Sequence, residues 1–136
     1  MSGAPDLADA IAAVVRAPLR GHRFSYQASR ASECADEQGK FFPYHDRLFA
    51  QQDSIGLKSF EAFAKESGVA DLPKFAACAN QIAKMPAVDS DILAAEGLRA
   101  TGTPTIIVNG MKFVEAPDAS TLDSIVKATV RSAAMR

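Results

Sequence analysis

The chain has 136 residues, 48% of them hydrophobic and 23% charged, with 8 Gly and 7 Pro. That is the composition of one ordinary globular domain, and it excludes a disordered, collagenous or two-domain chain. Fifteen basic against sixteen acidic residues leave a formal charge of -1, so the basic footprint that grips nucleic acid is missing.

The most apolar runs, around Ile11 to Val15 and Thr105 to Val108, fall far short of the roughly 18 apolar residues of a membrane span. Asp6 and Asp9 interrupt what would be the apolar centre of a signal peptide. The sequence as written therefore reads as cytoplasmic, with no membrane and no nucleic acid among its partners.

Near the start, Leu7, Ile11 and Val14 or Val15 fit one helical face. Ala12 to Arg16 followed by Pro18 fits a short buried strand equally well, and so short a period leaves both open. A helix is expected over Tyr26 to Gln38, with Ala28, Ala31, Ser32 and Ala35 forming a small-residue face, Ser25 as N-cap and Gly39 in the left-handed position after its end. Pro43 suits a first helical turn, and Tyr44, Leu48 and Phe49 form the apolar stripe of a helix reaching about Gln51. Leu57, Phe60, Phe63 and Ala64 repeat at helical spacing until Gly68, with Val69 supplying the apolar contact beyond the stop.

Asp71 can cap the next helix, with Pro73 in its first turn. Leu72, Phe75, Ala79 and Ile82 are its expected buried side before Pro86 closes it. Val88, Ile92 and Ala95 belong to one more helix ending near Gly97 to Leu98. After Gly102-Thr103-Pro104 comes the β-branched run Thr105 to Val108, then Asn109-Gly110 and Met111 to Val114. Asn-Gly tolerates two successive positive φ angles, which predicts a hairpin with a type I′ turn. A final amphipathic helix starts about Ser120, with Leu122, Ile125, Val126, Thr129 and Val130 on one side.

Several of these stretches together resemble the DsbA-like branch of the thioredoxin fold. Pro18-Leu19, Ala31 to Lys40 (ASECADEQGK), Tyr44-His45-Asp46 and Leu48-Phe49 match its pattern through the first inserted helices. Phe75, Cys78, Val88-Asp89, Gly102-Thr103-Pro104-Thr105 and Val108-Asn109-Gly110 match the remainder. The likeness covers about Leu7 to Val130.

It implies an α/β fold: a truncated thioredoxin-like (DsbA-like) single domain over residues 1–136. Residues 26–98 would be the helical insertion, and 101–136 the cis-Pro loop, β-hairpin and terminal helix. It also implies a cis proline at Pro104, with Thr103 presenting its N–H and C=O to an extended peptide or unfolded protein. Some relatives join positions similar to Cys34 and Cys78 by a second, non-catalytic disulfide, and such a bridge would stabilise by about 4 kcal/mol. The alternative for this pair is two buried, reduced thiols.

Catalysis in that branch belongs to a Cys-x-x-Cys at a helix N-terminus, where the helix lowers a thiol pKa. This sequence has two cysteines, Cys34 and Cys78, and no such motif. The resemblance places Ala12 to Arg16 as the second core strand and implies that the first, central strand is missing. Three repairs are expected: Ala12 to Arg16 fills the gap, or becomes helical, or a second chain supplies the strand in a homodimer joined at a sheet edge.

His22 and His45 with the two cysteines match no zinc-ligand spacing, so neither metal nor cofactor is expected. Glu61, Glu66 and Asp89 lie on separate segments and form no carboxylate pair. His45-Asp46 reads as a helix-surface hydrogen bond. Phe41, Phe42 and Tyr44 read mainly as core, the other reading being a peptide groove. Three functions remain open. One is a redox-inactive, peptide-binding member of the fold or a truncated product; another is part of an active protein-disulfide oxidoreductase, with an exported parent; the third is an interaction module stapled by Cys34 and Cys78.

Overall fold

The computed structural model describes residues 22–135. The start of the chain, with the strand-or-helix question at 10–16 and its consequence for the sheet, lies outside the described residues. Those described fall into two compact units, one within 22–94 and one within 95–135.

The first unit is helical. It contains α1 (Ser25–Asp36), α2 (Phe41–Ala50), a short 3-10 turn (Gln52–Ser54), α3 (Phe60–Glu66), α4 (Leu72–Ala79) and most of α5 (Pro86–Gly97). Its core is built on the small face of α1, where Ala31, Cys34 and Ala35 are buried with Tyr44, Leu48, Phe63, Ala64, Val69 and Phe75. Small residues at 28, 31, 32 and 35 let α4 and α2 approach the α1 backbone closely. The large rings Tyr44 and Phe75, with centroids 5.5 Å apart, then fill the space between.

The helix ends follow local chemistry. Gly39 and Gly68 take positive φ of 67° and 77°. In each case the following residue reaches back five positions: the Lys40 N–H bonds Ala35 O at 2.9 Å, and the Val69 N–H bonds Ala64 O at 3.0 Å. These are the glycine stops that the sequence suggests. The Asp71 carboxylate caps α4 by accepting from the Lys74 N–H at 2.9 Å.

Five expectations are corrected. Ser25 does not cap α1; it is the first helical residue, and its hydroxyl donates to His22 O at 2.9 Å. Leu57 is 89% exposed because α3 starts later than the apolar period implies. Ser59 provides the cap, accepting from the Ala62 N–H at 3.2 Å, and Leu57 is left in the turn before it.

Phe49 is 67% exposed. Tyr44 and Leu48, four residues apart, define the buried line of α2, and Phe49 lies about 100° round the helix from Leu48. Ile82 is fully exposed, since α4 ends at Ala79 and its period does not continue. The Asn80 side chain there donates to Glu61 Oε1 at 2.8 Å, and Pro86 opens α5 rather than closing α4.

The second unit holds the end of α5, a two-stranded antiparallel sheet of β1 (Ile106–Val108) and β2 (Met111–Phe113), and α6 (Ala119–Ala134). The strands pair Ile106 with Phe113, Ile107 with Lys112 and Val108 with Met111. Asn109 and Gly110, with φ of 50° and 80°, make the expected type I′ turn.

Two capping interactions tie off the helices of this unit. The Lys112 ammonium donates to the carbonyls of Leu98 (3.4 Å) and Arg99 (3.1 Å) just beyond α5, where a cation is favoured. Asp118 caps α6, accepting from the Thr121 N–H at 2.8 Å and from the Ser120 and Thr121 hydroxyls at 2.6 and 2.9 Å. These bonds, that from Ser120 foremost, hold its carboxyl down at a pKa of about 2. Leu122, Ile125, Val126 and Thr129 lie half-buried along one side of α6, with Val130 more exposed. The described residues thus combine six α-helices with a two-stranded sheet, a mixed α/β architecture. No helix among them is long and apolar enough to cross a membrane.

Candidate functional site

Cys34 and Cys78 are joined by a disulfide, with Cα atoms 5.8 Å apart. Each lies in the last turn of its helix, α1 or α4, where the carbonyl ends disfavour a thiolate. Cys34 is sealed in the core at 1% exposure, while Cys78 is half-buried. Beside the bridge, the Gln38 amide clasps the Asp71 backbone: its Nε2 donates to Asp71 O, and its Oε1 accepts from the Asp71 N–H, both at 2.9 Å. The end of α1 is therefore held to the end of α4 by the covalent bridge and to the start of α4 by two hydrogen bonds. The chemistry this arrangement favours is that of a staple.

Thr103 and Pro104 are exposed, and the peptide bond between them is cis. The Thr105 hydroxyl donates to Gly102 O at 2.6 Å, which closes the loop directly before β1. Thr101, Thr103 and Pro104 are exposed and Gly102 and Thr105 half-buried, and among the described residues the strand that follows, β1, pairs with β2 alone.

The remaining candidates are dispersed. His45 Nδ1 sits 3.1 Å from Asp46 Oδ1 on the surface of α2, and its ring lies beside those of Phe41 and Phe49, at 5.8 and 4.6 Å. The aromatic trio separates: Tyr44 is buried, Phe41 half-buried and Phe42 72% exposed, so Phe42 is not core. Burial pushes the Tyr44 hydroxyl pKa well above its ordinary range, and that hydroxyl donates to Phe60 O at 3.1 Å.

Glu61 accepts from Asn80. Glu66 pairs with Lys58, whose hydrogen bond lowers its pKa, assisted by Gln51 and Arg47. Asp89 accepts from the Tyr26 hydroxyl at 3.0 Å, and the same hydroxyl accepts from the Met85 N–H at 2.9 Å, which fixes the start of α5 to α1. These three carboxylates serve structure and do not meet. No group of three or more His, Cys, Asp or Glu among the described residues could hold a metal.

Sequence reasoning missed Arg30. Its side chain follows the Cys34 face of α1 and is only 4% exposed, a position that no motif signals.

An exposed proline loop entering a hairpin, a helical unit closed by a disulfide and a terminal helix define a thioredoxin-like domain. The sequence agrees: residues 10–128 match the family described as Thioredoxin, and the chain belongs to that family.

The chain is also similar to longer proteins. It is 33% identical over 104 residues to a Na(+)/H(+) antiporter NhaA of Herminiimonas arsenicoxydans, covering 76% of this chain and 17% of the antiporter. It is 30% identical over 115 residues to Na(+)/H(+) antiporter NhaA 3 of Salinispora tropica, covering 81% and 18%. It is 35% identical over 109 residues to Na(+)/H(+) antiporter NhaA 1 of Mycobacterium sp. (strain KMS), covering 76% and 17%. The chain therefore spans about a sixth of the length of these relatives. No solved structure matches it.

Proposed function

We propose that the chain is a DsbA-like interaction module of the thioredoxin family. Its cysteines serve as a staple, and its exposed loop at 101–105 receives an extended segment of a partner protein. The observation that carries this reading is the placement of the sulfurs. Both cysteines of the chain are consumed in one bridge between two helix C-terminal turns, where neither has the helix N-terminus that activates a catalytic thiol. The open backbone before β1 supports the second half, because an extended peptide can bond to main-chain groups beside a sheet edge.

Similarity to about a sixth of several Na(+)/H(+) antiporters supports an accessory role beside a membrane transporter. Such a module would hold a transporter segment or an unfolded client rather than move ions. A second reading, part of an active protein-disulfide oxidoreductase, is favoured by the likeness of residues 31–40 and 102–105 to that branch.

Titration of the 15N-labelled chain with reduced, carboxymethylated α-lactalbumin, an unfolded chain without free thiols, tests the binding surface. The amides of Thr103, Thr105 and Ile106 should shift first and saturably. Shifts confined to the helical unit, or none at all, would contradict the reading.

A further inference from the structure

Beside the bridge, an open groove of about 330 Å³ is lined by Arg30, Glu37, Lys74, Cys78, Lys84 and Met85, among others. Three cations meet one carboxylate there. Glu37 Oε2 lies 3.5 Å from Lys74 Nζ, and Glu37 Oε1 lies 3.9 Å from Cys78 Sγ. Lys74 therefore offsets the one anion near the sulfur, and among the described residues neither Arg30 nor Lys84 has a carboxylate as ion-pair partner. Arg30 is more than nine-tenths buried. Its guanidinium donates to Ala83 O and lies 5.6 Å from the Tyr26 ring centroid, and no carboxylate among the described residues forms an ion pair with it. A buried guanidinium has five donors, and one carbonyl and a ring face leave capacity for an anion.

We propose that this groove is an exchange site for a small thiol bearing carboxylates, of the glutathione class, which forms a mixed disulfide on Cys78. Access sets which sulfur is attacked, because Cys78 lines the groove while Cys34 is sealed. The incoming thiolate bonds to Cys78 Sγ, and the Cys34–Cys78 bond breaks. Its electron pair leaves on Cys34 Sγ, which takes a proton from water. A second thiol can then attack the adduct, releasing the small-molecule disulfide and leaving Cys78 reduced, so that two thiols are oxidised for one bridge reduced.

Cys34, once released among Ala31, Ala35, Tyr44 and Phe75, sits in apolar surroundings that disfavour its thiolate. A disfavoured thiolate slows both its departure and its re-attack, so the adduct is captured by acid quenching while the small thiol is in excess. This site does not depend on the peptide-binding reading, and it opens the staple stoichiometrically rather than turning over a client.

The test treats the oxidised full chain with glutathione or with cysteamine at equal thiolate concentrations, followed by acid quenching and peptide mass mapping. One glutathione should appear on Cys78, formed on the order of tenfold faster than the cysteamine adduct. The preference should fall several-fold in 1 M salt, and also in Lys84→Glu, a surface change that leaves the helical core intact. Equal rates, faster reaction with cysteamine, an adduct on Cys34, a chain that stays fully oxidised, or an unchanged preference in Lys84→Glu would each overturn the proposal.

Discussion

Removing the bridge by Cys34→Ala with Cys78→Ala tests what the staple contributes. The two residues are 44 positions apart, and cross-linking a loop of that length removes denatured-state entropy equivalent to about 4 kcal/mol at 25 °C. The Gln38–Asp71 clasp and the Tyr44–Phe75 contact survive the change, so the helical unit should still fold but with most of that stabilisation gone.

The chain has two tyrosines and no tryptophan, and both Tyr26 and Tyr44 lie in the helical unit. Near-ultraviolet dichroism or tyrosine fluorescence in urea therefore reports that unit alone. With an m-value of about 1–3 kcal/mol/M, a loss of about 4 kcal/mol should lower the midpoint by roughly 1.3 to 4 M. A fall equivalent to less than about 1 kcal/mol would refute the reasoning, since it would mean that the denatured chain gains little freedom when the bridge is lost.

Other consequences are narrower. Tyr44→Phe loses the hydrogen bond to Phe60 O while keeping the ring, and should cost about 0.5–1.5 kcal/mol by urea unfolding; Tyr44→Ala, which empties a fully buried site, should cost about 3–5 kcal/mol. Equal costs for the two variants would contradict the packing role of the ring. Asp118 has a folded pKa of about 2, below the ordinary value of about 3.9. Its capping contribution to α6 is thus complete above pH about 4 and is lost as pH falls towards 2. Carboxyl NMR should give a midpoint near 2, and an ordinary midpoint would show that the cap is not formed. Gly56→Ala should destabilise the helical unit by roughly 1–2 kcal/mol, because φ is +91° and a Cβ there would meet the Phe24 ring. A neutral effect would mean that Phe24 moves freely and that the turn tolerates the change.

What the sequence discloses here is local chemistry. The Asn109-Gly110 turn, the stops at Gly39 and Gly68 and the Asp71 cap each depend on a few adjacent residues, and each is legible before any coordinates. Tertiary choice is not. Leu57, Phe49 and Ile82 carry the right period but are exposed, because a nearby cap, a helix end or a rotation of about 100° decides which apolar residues reach the core.

The groove is illegible for a related reason. The small face of α1 draws α4 so close that Arg30 is trapped beside the bridge, and its neighbours Lys74 and Lys84 come from segments more than forty residues away. The likeness to the thioredoxin family was legible because it rests on several short matches in order. The pairing of Cys34 with Cys78 came from that likeness, since nothing in their spacing dictates it.

The central claim is that this chain's sulfurs brace the helical unit and do not drive disulfide exchange on a client. The most direct measurement is turbidimetric reduction of insulin by dithiothreitol in the presence of the purified chain. The account predicts a rate equal to that with dithiothreitol alone; turnover comparable with thioredoxin would contradict it.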